Sequence, residues 1–373
     1  MPKAIPCRRR PVPDADHHYR VWKITDWDTS HCVLGYLTFK LFSPDGRYLF
    51  FASNRTGEFQ LYRLDLEREE AVQVTGAAGL APVDGIPIEG QWRDCNVHRQ
   101  RNEFVYCTDR RIIAADIETF KPRVVAECPP DWSRIDATPL FSGDGKLFAT
   151  DYELPDGRRG VAVGEMGDKP AKLTTVMVGK PGEGVGYLIS SPTERFILSV
   201  CVGEDRQNIP TESYANRARA WRIDPATGEC RPYLVVPPGF RATHQYFGPG
   251  GRLYFHKKTV PTWTPTWVAS IDLDGGDYRD HYGSPDRKLG HSCVSADGSY
   301  LVIDVQESNR NELIHLDLKT GESRIIWWPN SSCTADNSQA GHVHPSADFQ
   351  GRRVAFQSDQ SGKCALYLAE IGE

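Results

Sequence analysis

The sequence predicts an all-β fold, a seven-bladed β-propeller whose ring is closed by an N-terminal strand completing the last blade. Three observations carry this expectation. A turn tetrapeptide recurs along the whole chain. A second, Asp-led turn recurs inside most of the repeats. The last repeat is one strand short, and the N-terminus has a strand to spare.

The first turn reads Ser43-Pro-Asp-Gly46, Ser142-Gly-Asp-Gly145, Ser191-Pro-Thr-Glu194, Gly248-Pro-Gly-Gly251 and Ser295-Ala-Asp-Gly298. Degenerate copies are His98-Arg-Gln-Arg-Asn102 and Ala347-Asp-Phe-Gln-Gly351. The starts at 43, 98, 142, 191, 248, 295 and 347 stand 44 to 57 residues apart. Pro at the second position presets φ and Gly at the fourth accepts a positive φ, so each copy closes a hairpin. Apolar strands follow at 48–51, 104–106, 196–198, 253–255, 300–303 and 354–356. The second turn appears as Asp65-Leu-Glu67, Asp116-Ile-Glu-Thr119, Asp224-Pro-Ala-Thr-Gly228, Asp272-Leu-Asp-Gly-Gly276 and Asp317-Leu-Lys-Thr-Gly321, each between two further strands. Four strands per unit and seven units make a propeller, whereas a pair of sandwiches has no reason to repeat every ~50 residues.

The final unit stops after its third strand, at 365–368. Residues 20–25, Arg-Val-Trp-Lys-Ile-Thr, fit the vacant outermost place and would remove an exposed edge. The expected organisation is a flexible extension over 1–19 and one propeller domain over 20–373. The first ~15 residues should be dispensable and the strand at 20–25 integral.

Composition limits the partners. Lys+Arg is 44 against Asp+Glu 49, a net charge of −5, which argues against a nucleic-acid backbone binder. No apolar run approaches the roughly 18 residues needed to cross a bilayer, so no membrane partner is expected. The N-terminus, with Arg8 to Arg10, lacks the hydrophobic core of a secretory signal. Ten cysteines are scattered without a Cys-x-x-Cys pair, the pattern of free buried thiols in a reducing, cytoplasmic compartment.

In a propeller the first turns share one face. Loops entering strand one, and loops between strands two and three, share the other. The long irregular segments 202–218, 257–266 and 329–341 fall on that second face, which makes it the binding face. Four residues before each turn start, at the mouth of strand one, stand Phe39, Asp94, Thr138, Tyr187, His244, His291 and Val343. Val343 is flanked by His342 and His344. Four of the 11 histidines thus crowd the mouths of three consecutive blades. His342 and His344, two apart, would point to one side of a strand. With His291 from the neighbouring blade and the amide of Gln339, they form a mixed N/O set able to ligate Mn, Fe, Ni or Zn. The bland alternative is a hydrogen-bonded histidine pair under a loop.

These residues resemble the oligogalacturonate lyases, cytoplasmic seven-bladed propellers, over nearly the whole chain. The strongest match is Gln339-x-x-His342-x-His344-Pro-Ser346 followed by Arg353-Val-Ala-Phe-Gln-Ser-Asp359. The resemblance implies Mn²⁺ held by His342, His344, Gln339 and His291, the last within Gly290-His-Ser-Cys-Val-Ser-Ala-Asp-Gly298. It implies a base histidine in Thr243-His-Gln-Tyr246, and a carboxylate-binding arginine in Arg219-Ala-Trp221. Arg217 is the close alternative to Arg219. Two positions depart from the family: Tyr187 stands where members have a histidine, and Cys32 follows His31 where they have His-His. The wall that meets the sugar is altered, so another oligouronide, or a non-catalytic metal-containing propeller, are the alternatives.

The implied reaction is β-elimination on a short oligouronide. A base takes the C5 proton of a uronate and the sugar on C4 leaves. A metal and an arginine neutralise the adjacent carboxylate, and a neutral imidazole, His244, accepts the proton. Tyr187, Trp263 and Trp267 are candidate sugar-facing aromatics, or ordinary packing. No Gly-x-Ser-x-Gly nucleophile elbow occurs, which speaks against a serine hydrolase.

Overall fold

A computed structural model describes residues 3–76, 95–179, 185, 188–193, 197–199, 218–224, 226–235, 237, 239–307, 311–333 and 341–371. These residues form seven antiparallel sheets of four or five strands, a β-propeller, with a 3-10 turn at Pro249–Gly251. No helix among them is long and apolar enough to cross a membrane. The chain groups into two compact units, one of residues 1–102, 117–120 and 287–373, the other of 103–116 and 121–286.

The recurring turn is a local chemical device. In the first unit the Ser43 hydroxyl donates to Asp45 and accepts the Tyr48 N–H at 2.8 Å. The Gly46 N–H meets the Ser43 carbonyl at 2.8 Å, and Gly46 takes φ 75°. Ser295, Asp297 and Tyr300 repeat the arrangement with Gly298 at φ 76°. In the second unit Ser142, Asp144 and Leu147 do so again. The Asp-led turn is equally local: the Asp317 carboxylate accepts the N–H groups of Lys319 and Thr320 at 2.8 Å each. Such side-chain-to-backbone bonds fix each hairpin without help from the rest of the chain.

The first unit holds three sheets. One runs Ile5–Pro6, Glu70–Gln73, Gln60–Asp65, Tyr48–Ser53, Cys32–Val33. Another runs Leu289–Val294, Tyr300–Val305, Leu313–Asp317, Ser323–Trp327. The last runs Arg10–Pro11, Arg20–Lys23, Ala365–Glu370, Arg353–Ser358, Ser346–Ala347. Central strands such as Tyr48–Ser53 and Tyr300–Val305 are buried at every residue, because a neighbouring layer covers each face. Val302, Leu313, Trp327, Val343, Phe356 and Tyr367 share one apolar cluster, with the Phe356 and Tyr367 rings stacked 5.5 Å apart. Each large apolar side chain there contributes ~1.5–3 kcal/mol on leaving water.

The second unit holds the sheets built on Leu147–Glu153, Ala218–Ile223 and Leu253–Thr259, together with Glu103–Cys107, Arg111–Asp116 and Pro122–Glu127. Its core stacks Trp132 on Tyr152 with ring centres 3.6 Å apart. Gly160 is required beside Tyr152, since a Cβ there would lie 2.3 Å from the phenol ring. The eight cysteines whose side chains are described are free thiols.

Arg20–Lys23 pairs with Ala365–Glu370 in the register Arg20↔Glu370 to Lys23↔Tyr367, so an N-terminal strand does complete the last blade. The segment before it departs from the flexible extension expected over 1–19. Ile5–Pro6 adds a fifth strand outside Glu70–Gln73, and Arg10–Pro11 adds one outside Arg20–Lys23. Cys7 is buried, Arg9 pairs with Glu69 at 2.7 Å, and the Trp327 indole N–H donates to the Pro13 carbonyl at 3.1 Å. Two-residue strands carry no periodicity to read. Pro6 and Pro11 cannot donate a ladder bond, which suits them to sheet edges. Deleting residues 1–15 should therefore lower the melting temperature by at least ~5 °C, and deleting 1–26 should prevent folding. Thermal unfolding of both truncations checks this, and an unchanged melting temperature for the shorter deletion would contradict the pairing.

Candidate metal centre

His291 lies in Leu289–Val294, at a break in register: Leu289 pairs with Val305, but Ser292 pairs with Ile303. The extra residue bulges the strand and re-aims the side chain. His342 and His344 precede Ser346–Ala347 in irregular backbone rather than a strand, and His344 takes φ 48°. Their convergence thus comes from a left-handed residue, not from strand alternation. The ligand-capable atoms of His291, His342 and His344 all lie within 4.8 Å of one another. Ring centres are 4.1 Å apart for His291 and His344, and 5.5 Å for each pair with His342.

The site is dry. His291 and His344 are each 1% exposed. Burial pushes the His344 pKa well below its ordinary value, and the neighbouring His291 and His342 add to this. A neutral imidazole is the form that ligates metal, so the donor set fits a divalent cation. Three residues unforeseen in the sequence support the cluster. The buried Asp304 carboxylate accepts the His291 N–H at 2.5 Å, meets His291 Nδ1 at 3.1 Å, and accepts the His344 N–H at 3.2 Å. The Gln306 amide meets His342 Nε2 at 3.0 Å. Tyr36 sets its ring edge-on to His291 at 5.8 Å and to His344 at 5.6 Å. A lone carboxylate inside Tyr-Leu-Val-Ile-Asp-Val was the available signal for Asp304; Tyr36 offered none.

Gln339, Tyr187 and Arg217 lie outside the described residues, as does the Arg219 side chain. The Arg219 backbone belongs to Ala218–Ile223, where the register breaks between Ala218 and Ala220. In the second unit, His244 lies in Phe240–Phe247, also at a register break, with φ 53°. It is half-buried, its Nδ1 is 3.4 Å from the Thr243 hydroxyl, and its ring stands edge-on to buried His256 at 5.5 Å. Trp267 packs under Lys257 at 4.4 Å, and Trp263 under Arg241 at 4.8 Å, so each indole face already meets a cation. Among the described residues one other cluster has metal-ligand chemistry, Asp16, His17 and His18. Its histidines are exposed, and the Arg324 guanidinium lies 2.9 Å from His18 Nε2, a partner that opposes a cation.

No protein-family model matches the chain. An oligogalacturonate lyase of Dickeya dadantii is 23% identical, the match covering 91% of this chain and 90% of that protein. An oligogalacturonide lyase of Pectobacterium atrosepticum is 24% identical, covering 98% and 97%. A solved oligogalacturonate lyase in complex with manganese superposes with a TM-score of 0.81 at 20% identity, covering all of this chain and 98% of that one. The chain therefore resembles these lyases in sequence along nearly its full length, and shares their propeller fold.

Replacing His342 and His344 together by alanine should abolish stoichiometric divalent metal in the purified protein. Elemental analysis measures this directly, and full metal retention would refute the three-histidine site.

Proposed function

We propose that the chain is a divergent oligogalacturonate lyase, cleaving short oligogalacturonides by β-elimination to unsaturated uronate products. The observation that carries this is the His291–His342–His344 cluster, in which His342 and His344 belong to a Gln-x-x-His-x-His segment and His291 comes from a separate strand. In this reading Gln339 completes the set, residues 20–373 serve as one propeller domain, and the protein works in the cytoplasm, which suits its free thiols.

A divalent cation held there, Mn²⁺ in this reading, would act as a Lewis acid on the uronate carboxylate and so make the C5 proton removable. Arg219, or Arg217 beside it, pairs with the same carboxylate as a bidentate donor. The neutral His244 imidazole accepts the C5 proton. The C5–H electron pair becomes the C4=C5 double bond as the C4–O bond breaks. Tyr187 meets the sugar where relatives present a histidine. That replacement, with Cys32, favours a second reading, a lyase for a different oligouronide.

Digalacturonate and trigalacturonate, incubated with the protein and Mn²⁺, should yield a product with the ultraviolet absorbance of the unsaturated uronate. Absorbance rising only with another oligouronide selects the second reading, and metal binding without any elimination overturns both. His244→Ala should keep metal but lose turnover by roughly 10²-fold or more, the usual share of general-base catalysis. Near-normal turnover in that variant, folded and metal-loaded, would end the base assignment.

A further inference from the structure

The three histidines share a feature that the donor set alone does not require. One carboxylate, Asp304, bonds to the two separate segments that carry His291 and His344. Its Oδ1 accepts the His291 backbone N–H at 2.5 Å. Its Oδ2 lies 3.1 Å from His291 Nδ1 and 3.2 Å from the His344 backbone N–H. The side chains of Asp304 and His291 are each 2% exposed. The backbone opposite is built around the carboxylate: a Cβ on Gly290 would stand 2.2 Å from Asp304 Oδ1 and 2.9 Å from the Gln306 Cβ. Only glycine leaves the carboxylate where it is.

We infer that Asp304 is the positioning residue of the metal centre, fixing the His291 tautomer and tying the His344 segment to it, with Gly290 providing the clearance. A carboxylate can only accept, so His291 Nδ1 carries the proton and Nε2 keeps the lone pair a metal needs. The same anion supplies a negative charge beside the cluster that favours a cation there. The inference rests on reading the cluster as a metal centre, but not on the lyase reaction.

Asparagine cannot replace the aspartate. With its oxygen at the Oδ2 place, its NH₂ faces the His291 backbone N–H. With its oxygen at the Oδ1 place, the NH₂ faces both His291 Nδ1 and the His344 N–H, and drives His291 to the Nε2–H tautomer. Asp304→Asn should therefore weaken Mn²⁺ binding about 10- to 100-fold by calorimetric titration of the metal-free protein. Gly290→Ala, which removes no charge, should weaken it in the same direction by displacing the carboxylate. Histidine ¹⁵N NMR of the metal-free wild type should show His291 protonated on Nδ1 and bare on Nε2. Affinity within twofold of wild type in folded Asp304→Asn, or an Nε2–H tautomer for wild-type His291, would overturn the inference. If the variants fail to fold, the wild-type tautomer still decides. If the wild type binds no Mn²⁺, the metal reading fails, while the tautomer separately tests the Asp304 clamp.

Discussion

Burying two imidazoles, His291 and His344, around one carboxylate is the constraint around which the first unit is organised. An isolated carboxylate in an apolar interior is costly, and removing one partner of a buried pair typically costs ~3–5 kcal/mol. Asp304 avoids that penalty by accepting three N–H groups from two segments of the chain. The bulge at His291, the clearance at Gly290 and the left-handed turn at His344 each serve to bring those donors to one carboxylate. Burial pushes the His344 pKa well below its ordinary value, which suits that imidazole to a cation.

The rigidity of that arrangement comes from beneath it. Tyr300–Val305, which carries Asp304, is buried along its whole length, and Val302 and Val343 pack into one cluster with Phe356 and Tyr367. Val343 sits between His342 and His344, so the irregular segment is anchored by an apolar side chain while its flanking imidazoles meet His291. Pairing Arg20–Lys23 onto Ala365–Glu370 covers the last blade's outer edge and ties this core to the N-terminal segment.

What the sequence made legible is what local chemistry decides. Ser43-Pro-Asp-Gly46 and its copies fold the same way wherever they occur, because the serine hydroxyl and aspartate carboxylate bond to their own backbone. The central strands were visible as apolar runs, and the closing strand as the one the last unit lacked. The histidine cluster was visible because blade repeats place equivalent residues at equivalent mouths. What escaped is what tertiary contact decides. Ile5–Pro6 and Arg10–Pro11 are too short to show a period, and the pairing of Arg9 with Glu69 spans sixty residues. Trp263 and Trp267 looked like platforms for a sugar, yet their faces meet Arg241 and Lys257. Asp304 escaped for the same reason, since the backbone N–H groups it accepts lie thirteen residues back and forty residues further along the chain.

The central claim is that a divalent cation sits among His291, His342 and His344. The most direct test is anomalous diffraction at wavelengths on either side of the manganese edge, from crystals grown with Mn²⁺. The account predicts one strong edge-dependent peak within bonding distance of all three imidazoles. An empty position there, or a peak only at the exposed Asp16–His17–His18 cluster, would contradict it.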